Sequence, residues 1–402
     1  MSKNKSQNEG IQRGLKDRHI SMIAIGGCIG TGLFMTSGGA IHSAGALGAL
    51  IAYAIIGAMV FFLMTSLGEM ATYLPVSGSF STYATRFVDP SLGFALGWNY
   101  WFNWVITVAA DVTIAAQVIQ YWSPMQSVPA WVWSCIFLVI IFALNSLSVR
   151  VYGESEYWFA LIKVVTVIIF IVIGLLTIVG IMGGKFVGFE TFTKGGGPIL
   201  GGNLGGSLLS ILGVFLVAGF SFQGTELIGI TAGESENPER AVPKAIKQVF
   251  WRILLFYILA IFIIGMLIPY DSSALMGGEN SISTSPFTLV FQNAGLAFAA
   301  SFMNAVILTS VLSAGNSGMY ASTRMLYSMS KDKLAFNSFS KTNKNGVPHI
   351  SLIVTGIIVV VIFAVQHFSG DAYEYIVAAS GMTGFIAWVG IAVSHYLSLI
   401  HI

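Results

Sequence analysis

Apolar residues gather in ten runs, at 19–42, 46–70, 92–120, 130–148, 156–183, 205–231, 250–269, 298–326, 349–367 and 372–396. About 20 apolar residues let a helix cross the hydrocarbon core of a bilayer. No water bonds peptide groups there, so each run is predicted to be a helix that satisfies its own amides and carbonyls. Only 9% of the residues are charged. A soluble surface needs more, since soluble domains carry roughly 25%. The chain therefore reads as an all-α polytopic membrane protein, with the lipid bilayer as its first partner. A net charge of +2 gives no footprint for nucleic acid. Cys28 and Cys135 both lie in apolar runs and make no disulfide framework.

The basic residues carry the orientation. All but three of the 19 Lys and Arg fall on the side of the N-terminus. The exceptions are Lys185 and Lys194 on the opposite side and Lys163 inside a run. Cytoplasmic loops are the basic ones. The sequence thus predicts a multi-pass membrane protein with both termini in the cytoplasm. Residues 71–91 hold a candidate short helix, Pro286 can start another, and residues 232–248 read as the most charged loop.

Two runs carry interruptions. All ten prolines lie at the ends of runs or between them, so a break within a run must come from glycine. The first run contains Gly26-Gly27-Cys28-Ile29-Gly30-Thr31-Gly32-Leu33-Phe34. The sixth contains Gly219-Phe220-Ser221-Phe222-Gln223-Gly224-Thr225-Glu226. Each glycine costs a helix interior roughly 0.5–1 kcal/mol relative to alanine, and an opened helix strands peptide groups in hydrocarbon. A buried polar ligand would satisfy those groups. Broken spans in matching halves point to a transporter's substrate site; close packing of small residues is the alternative. The halves are 19–183 and 205–396, set between a tail at 1–18, an outer loop at 184–204 and a remnant at 397–402.

An ionisable residue inside a membrane costs at least about 2.5–3.5 kcal/mol at the centre of a lone span, so each is a candidate for function. Lys163 lies in the first half of the fifth run. It can snorkel to the interface or, desolvated, load and unload a proton. Asp111 sits in mid-run, where it can attract a cation or pair with another helix. Glu226 follows the second break and can bond the freed amides, meet a substrate amine or carry a proton. Glu69, near the end of the second run, reads as structural. Trp98, Trp101 and Trp104 recur at helical spacing and read as packing and interface anchors. The histidines lack metal-ligand spacing, no Gly-Lys-Ser or Gly-Lys-Thr closes a phosphate loop, and no nucleophile triad follows a serine elbow. Enzyme chemistry, a metal and a cofactor are not indicated.

The stretches Ile25–Phe34, Leu67–Tyr83, Gly97–Trp104, Gly219–Glu236, Gln248–Tyr257 and Ala314–Tyr327 together resemble the amino-acid permeases of the amino acid-polyamine-organocation superfamily. The likeness runs nearly from Leu15 to Tyr396 and is nearest to the bacterial lysine-transporting branch. It implies a leucine-transporter-like fold: two inverted five-span repeats, with the first and sixth spans broken around a substrate at mid-membrane. It implies that Gly30, Thr31 and Gly32 hold an amino acid's carboxylate. Carbonyls at Cys28, Phe220 and Gln223 would meet its α-amino group, and Ser221 belongs to the same break. Helix physics agrees, because bare N–H groups at a half-helix start favour an anion and bare carbonyls at an end favour a cation. Phe220 matches a gating aromatic. Lys163 matches the lysine that, in proton-coupled relatives, stands where others bind sodium; it would meet carbonyls of span one and a hydroxyl of span eight, Ser313 or Ser317. Glu226 matches an acid linked to transport. The family has twelve spans, and this sequence ends after ten, with the last two family spans absent.

The resulting expectation is a secondary transporter that imports L-lysine, or a related basic amino acid, by proton symport with alternating access. Asp111 or Glu226 would read the side chain by charge. An exchanger, a permease for another amino acid, and a lysine sensor that signals to a regulatory partner are the rival readings.

Overall fold

The computed structural model describes residues 11, 13–27, 29–182, 186–187, 189–193, 198–272, 275, 285–293, 295–368 and 372–401. Cys28, Lys185 and Lys194 fall outside the described residues. Helix α1 (Asp17–Gly26) stops at the first glycine pair, and a π-helical turn (Gly32–Thr36) leads into α2 (Ser37–Tyr73). Gly45 interrupts α2 with φ +78, so this element holds the end of the first expected span and all of the second. Glycine takes that φ without strain, and a Cβ there would lie 2.6 Å from the Pro198 carbonyl oxygen.

A short α3 (Ser79–Phe87) fills the connection expected to hold one. Then come α4 (Pro90–Ile119), α5 (Ala130–Ser146), α6 (Val149–Ile178) and the single-turn α7 (Glu190–Thr193). The sixth span is α8 (Leu204–Phe222) and α9 (Leu227–Ala232), separated at Gln223–Glu226. A π-helical segment (Ile253–Ile258) joins α10 (Pro238–Arg252) to α11 (Leu259–Leu267). Pro286 does open a helix, α12 (Pro286–Asn293). The long α13 (Ala297–Lys331), α14 (His349–Phe368) and α15 (Ala372–His401) follow. Among the described residues the only β pairing is the isolated bridge Leu15–Ser235. Among the described residues, six helices are long and apolar enough to cross a membrane, and three shorter apolar ones accompany them.

Two stretches depart from the sequence reading. Most of the expected charged loop is α10. Its buried face is Ala241, Val242, Ala245 and Val249, while Arg240, Lys244 and Lys247 are exposed. That spacing is one apolar helix face, and Pro238 suits a first helical position. Helix α6 begins at Val149, seven residues before the apolar run, because its first turns face protein: Val149, Tyr152, Gly153 and Glu156 are buried.

Both breaks are buried, at 29–34 and at 218–232, whereas the first half of α8 exposes Leu204, Leu208, Leu209 and Leu212. Helix α1 packs on α6, α2 on α8, α4 on α13, and α15 against both α4 and α8.

Candidate substrate site

The two interruptions touch. A Cβ on Gly32 would lie 2.3 Å from Ser221 Cα, and one on Gly27 would lie 3.5 Å from the Gly224 carbonyl oxygen. At Gly32 only a glycine lets the two backbones approach so closely, while the Gly27 distance is ordinary contact. Helix α1 closes with Gly27 N donating to Ile23 O at 2.7 Å and Ile29 N to Gly26 O at 3.1 Å. Helical bonding resumes when Phe34 N donates to Gly30 O at 3.0 Å. In the sixth span Gln223 N donates to Phe220 O at 3.2 Å. Gly224 then takes φ +92, and Leu227 N donates to Gly224 O at 3.3 Å.

The expected site residues divide by what they bond. Thr31 Oγ1 donates to Asp111 Oδ1 at 2.6 Å, with both residues buried. Asp111 Oδ2 is buried without a hydrogen-bond partner; a Cβ on Gly315 of α13 would come within 3.7 Å of it. Ser221 is held on two sides. Its Oγ pairs with Tyr53 OH at 2.8 Å and Thr36 Oγ1 at 3.3 Å, and its carbonyl accepts from Tyr257 OH at 2.8 Å. Phe220 is 5% exposed. The Gln223 side chain turns to α4 and α15: Nε2 donates to Ser380 O at 2.5 Å, and Oε1 accepts from Asn103 Nδ2 at 3.2 Å and Ser380 Oγ at 3.1 Å.

Glu226 closes its own break. Its Oε1 accepts from Gly224 N at 3.1 Å and Tyr100 OH at 3.0 Å, and its Oε2 accepts from Thr225 Oγ1 at 3.3 Å. Of the roles open to it from sequence, bonding the freed amide is the one the geometry displays. Lys163 is 1% exposed, and its Nζ donates to Gly26 O at 3.1 Å. A cation thus meets a carbonyl at the C-terminal end of α1, which also accepts from Ile29 N, where the helix dipole favours it.

The hydroxyls of α13 serve other partners. Ser313 Oγ donates to Glu156 Oε2 at 2.7 Å, and Ser317 Oγ accepts from Tyr152 OH at 3.3 Å. Asn316 Nδ2 donates to Glu156 Oε1 at 2.7 Å. The sequence reading passes over Glu156 because the fifth apolar run begins there. Its spacing of seven residues from Lys163, two turns along one face, is the signal that marks it.

Side-chain layers cover the breaks on both sides. On the N-terminal side Arg324 Nε donates to Glu234 Oε1 at 2.9 Å, both at most 3% exposed, and the guanidinium lies 4.2 Å from the Tyr320 ring. The Glu234 carbonyl accepts from Gly14 N and Leu15 N, each at 3.1 Å. On the opposite side the Phe34 and Phe287 rings meet at 4.8 Å, and Ser285 Oγ donates to Phe34 O. Glu69 is bonded to His395 at 2.7 Å, and Trp101 Nε1 donates to Thr355 Oγ1 at 3.1 Å.

Solved structures share this architecture at low sequence identity. A sodium-coupled sialic acid symporter, substrate-bound and outward-open, matches with a TM-score of 0.58 at 12% identity, over 92% of this chain and 78% of that one. A manganese transporter of Eremococcus coleocola matches with a TM-score of 0.54 at 12% identity, over 95% and 80%. The fold is the leucine-transporter-like one, two inverted five-span halves with the first and sixth spans broken. The family model described as amino acid permease matches residues 19–398. The lysine-specific permease LysP of Lactococcus lactis is 57% identical over 98% of this chain and 77% of its own length. LysP of Escherichia coli is 56% identical over 96% and 78%, and the histidine permease HisP of L. lactis 52% over 97% and 80%. The chain belongs to the amino acid permease family. It is a multi-pass membrane transporter of amino acids, not an enzyme.

Proposed function

We propose that the protein imports L-lysine, or a close basic relative, across the bacterial cytoplasmic membrane by proton symport with alternating access. Asp111 carries this reading. It places at the first break a carboxylate with one oxygen on Thr31 and the other buried and unpartnered. A buried charge without a partner is costly, and a substrate ammonium answers that cost. Two relatives at 56% and 57% identity bear the name lysine-specific permease. The amides of Gly30, Thr31 and Gly32 would take the substrate carboxylate. The carbonyls of Phe220 and Gln223 would take its α-amino group, together with Cys28, which lies outside the described residues. Phe220 and Ser221 would wall the site, and Glu226 would hold the second break open from behind.

Lys163 would switch protonation as the core rocks, with Ser313 and Ser317 held on Glu156 and Tyr152. The Arg324–Glu234 layer and the Phe34–Phe287 layer would open in turn. With the basic loops inside, both termini are cytoplasmic. A lysine cation and a proton entering together gain about 4.6 kcal/mol per 100 mV, two charges at roughly 2.3 each.

The test is uptake of labelled lysine into proteoliposomes in competition with arginine, ornithine, histidine and leucine. Lysine should outcompete the rest, and external lysine should carry protons inward without internal amino acid. Asp111→Asn should cut the lysine-over-leucine preference by roughly 10- to 150-fold, the worth of a charge-assisted hydrogen bond. Histidine displacing lysine would overturn the substrate. Uptake that requires internal amino acid would make the protein an exchanger, and binding without flux would make it a sensor.

A further inference from the structure

Glu156 is a buried carboxylate on the face of α6 that carries Lys163, and it is 2% exposed. Its two partners differ in kind. The Asn316 amide is oriented by Asn145, whose Nδ2 donates to Asn316 Oδ1 at 2.8 Å, so Asn316 Nδ2 can only donate to Glu156 Oε1. Ser313, at 2.7 Å from Oε2, is a hydroxyl rotor that donates or accepts. It can donate to the carboxylate and, by turning, accept from the acid. Glu156 thus has partners for both protonation states with every heavy atom in place.

Lys163 stands two turns away, and its Nζ reaches Gly26 O of α1 at 3.1 Å, a residue packed against Ala160, one turn from Glu156. One turn from Glu156 toward the N-terminal end of α6 stands Tyr152. Tyr152 OH donates to Ser317 Oγ, and the Tyr152 ring stacks on Tyr320 at 4.0 Å. Among the described residues, the ionisable groups beside these tyrosines include Arg324 and Glu234, which pair with each other, and His19 of α1, which packs against Gly153 and bonds Glu154.

We propose that Glu156 is the second proton station of the transport cycle and exchanges the coupled proton with Lys163. An N–H bond of the Lys163 ammonium breaks, its electron pair stays on Nζ, and an O–H bond forms on Glu156 Oε2. The outcome is a neutral amine and a neutral acid. Release toward the N-terminal side restores the carboxylate. This rests on the proton-symport reading above.

Glu156→Gln keeps one acceptor for Asn316 and one donor for Ser313, the arrangement of the protonated acid. In proteoliposomes it should retain lysine counterflow. Lysine-driven proton entry should fall about 100-fold, the low end of what a positioned proton carrier supplies, and the pH profile of uptake should flatten. Wild-type proton entry in this variant overturns the assignment. Ser313→Ala provides the second arm. Loss of a donor disfavours the carboxylate, so the midpoint of the pH profile should rise by about one unit or more; an unmoved midpoint overturns the rotor. If the unaltered protein carries no protons with lysine, the symport reading itself fails, which the first arm's control records separately.

Discussion

Gly32→Ala tests the contact on which the site is built. The new Cβ would lie 2.3 Å from Ser221 Cα and 3.0 Å from both Ser221 Cβ and N, against 3.4 Å or more for ordinary contact. These are backbone or backbone-anchored atoms, so no flexible tip can yield. Ser221 cannot slide freely either, since Tyr53 holds its hydroxyl and Tyr257 its carbonyl, each at 2.8 Å. The broken spans must therefore separate by about an ångström. Overpacking of this kind costs about 1–3 kcal/mol, roughly 5- to 150-fold in the equilibrium that favours the closed arrangement. Gly39→Ala is the matched control, because nothing lies within 4 Å of its added Cβ and the helix gains about 0.5–1 kcal/mol. Thermal melting in detergent and lysine uptake in proteoliposomes are measured on both. Gly32→Ala should melt lower and transport poorly, and Gly39→Ala should match or exceed the parent in stability. Equal stability and uptake in the two variants would refute the close approach of the broken spans.

Two further outcomes follow from the bonded carboxylates. Glu226→Gln retains an acceptor for Gly224 N and Tyr100 OH, so uptake should fall modestly with its lysine-over-leucine preference and pH profile unchanged; a lost preference would make Glu226 a reader of the side chain. Arg324→Met leaves Glu234 buried and unpaired, which should cost about 3–5 kcal/mol of stability. The double variant Arg324→Met with Glu234→Leu should recover most of that loss in a thermal melt.

The helices and their breaks were legible because hydrocarbon leaves the chain no choice: apolar length and glycine position decide each element. Gly45 fell at the boundary between the first two runs, and both interruptions fell inside the glycine stretches. What composition could not place was polar structure on protein-facing helix surfaces. Helix α10 looked like a loop because its exposed face is charged, and the start of α6 looked like a loop because Arg150 and Glu154 precede the apolar run. Hydropathy averages over faces, so a buried carboxylate at the edge of a span, such as Glu156, does not stand out. The roles of Ser313 and Gln223 were hidden for another reason. Each is set by which helix it meets, and partners 157 residues away in sequence, Glu156 for Ser313 and Ser380 for Gln223, leave no local trace.

The two breaks are also held differently, and this bears on how binding moves the molecule. The sixth-span break is tied by groups that bond one another: Gln223 to Asn103 and Ser380, Glu226 to Tyr100 and to its own Gly224. None of these bonds needs a substrate. The first break is tied through two charges, Asp111 by way of Thr31 and Lys163 by way of Gly26. On the proposed reading a substrate ammonium competes for Asp111 and a proton changes Lys163, so both events act on the first span while the sixth stays fixed to α4 and α15. A ligand shifts a conformational equilibrium only by its differential affinity for the two states. Here that difference resides in α1 and its π-helical continuation, which places the moving wall of the site on the N-terminal half and the standing wall on the C-terminal half.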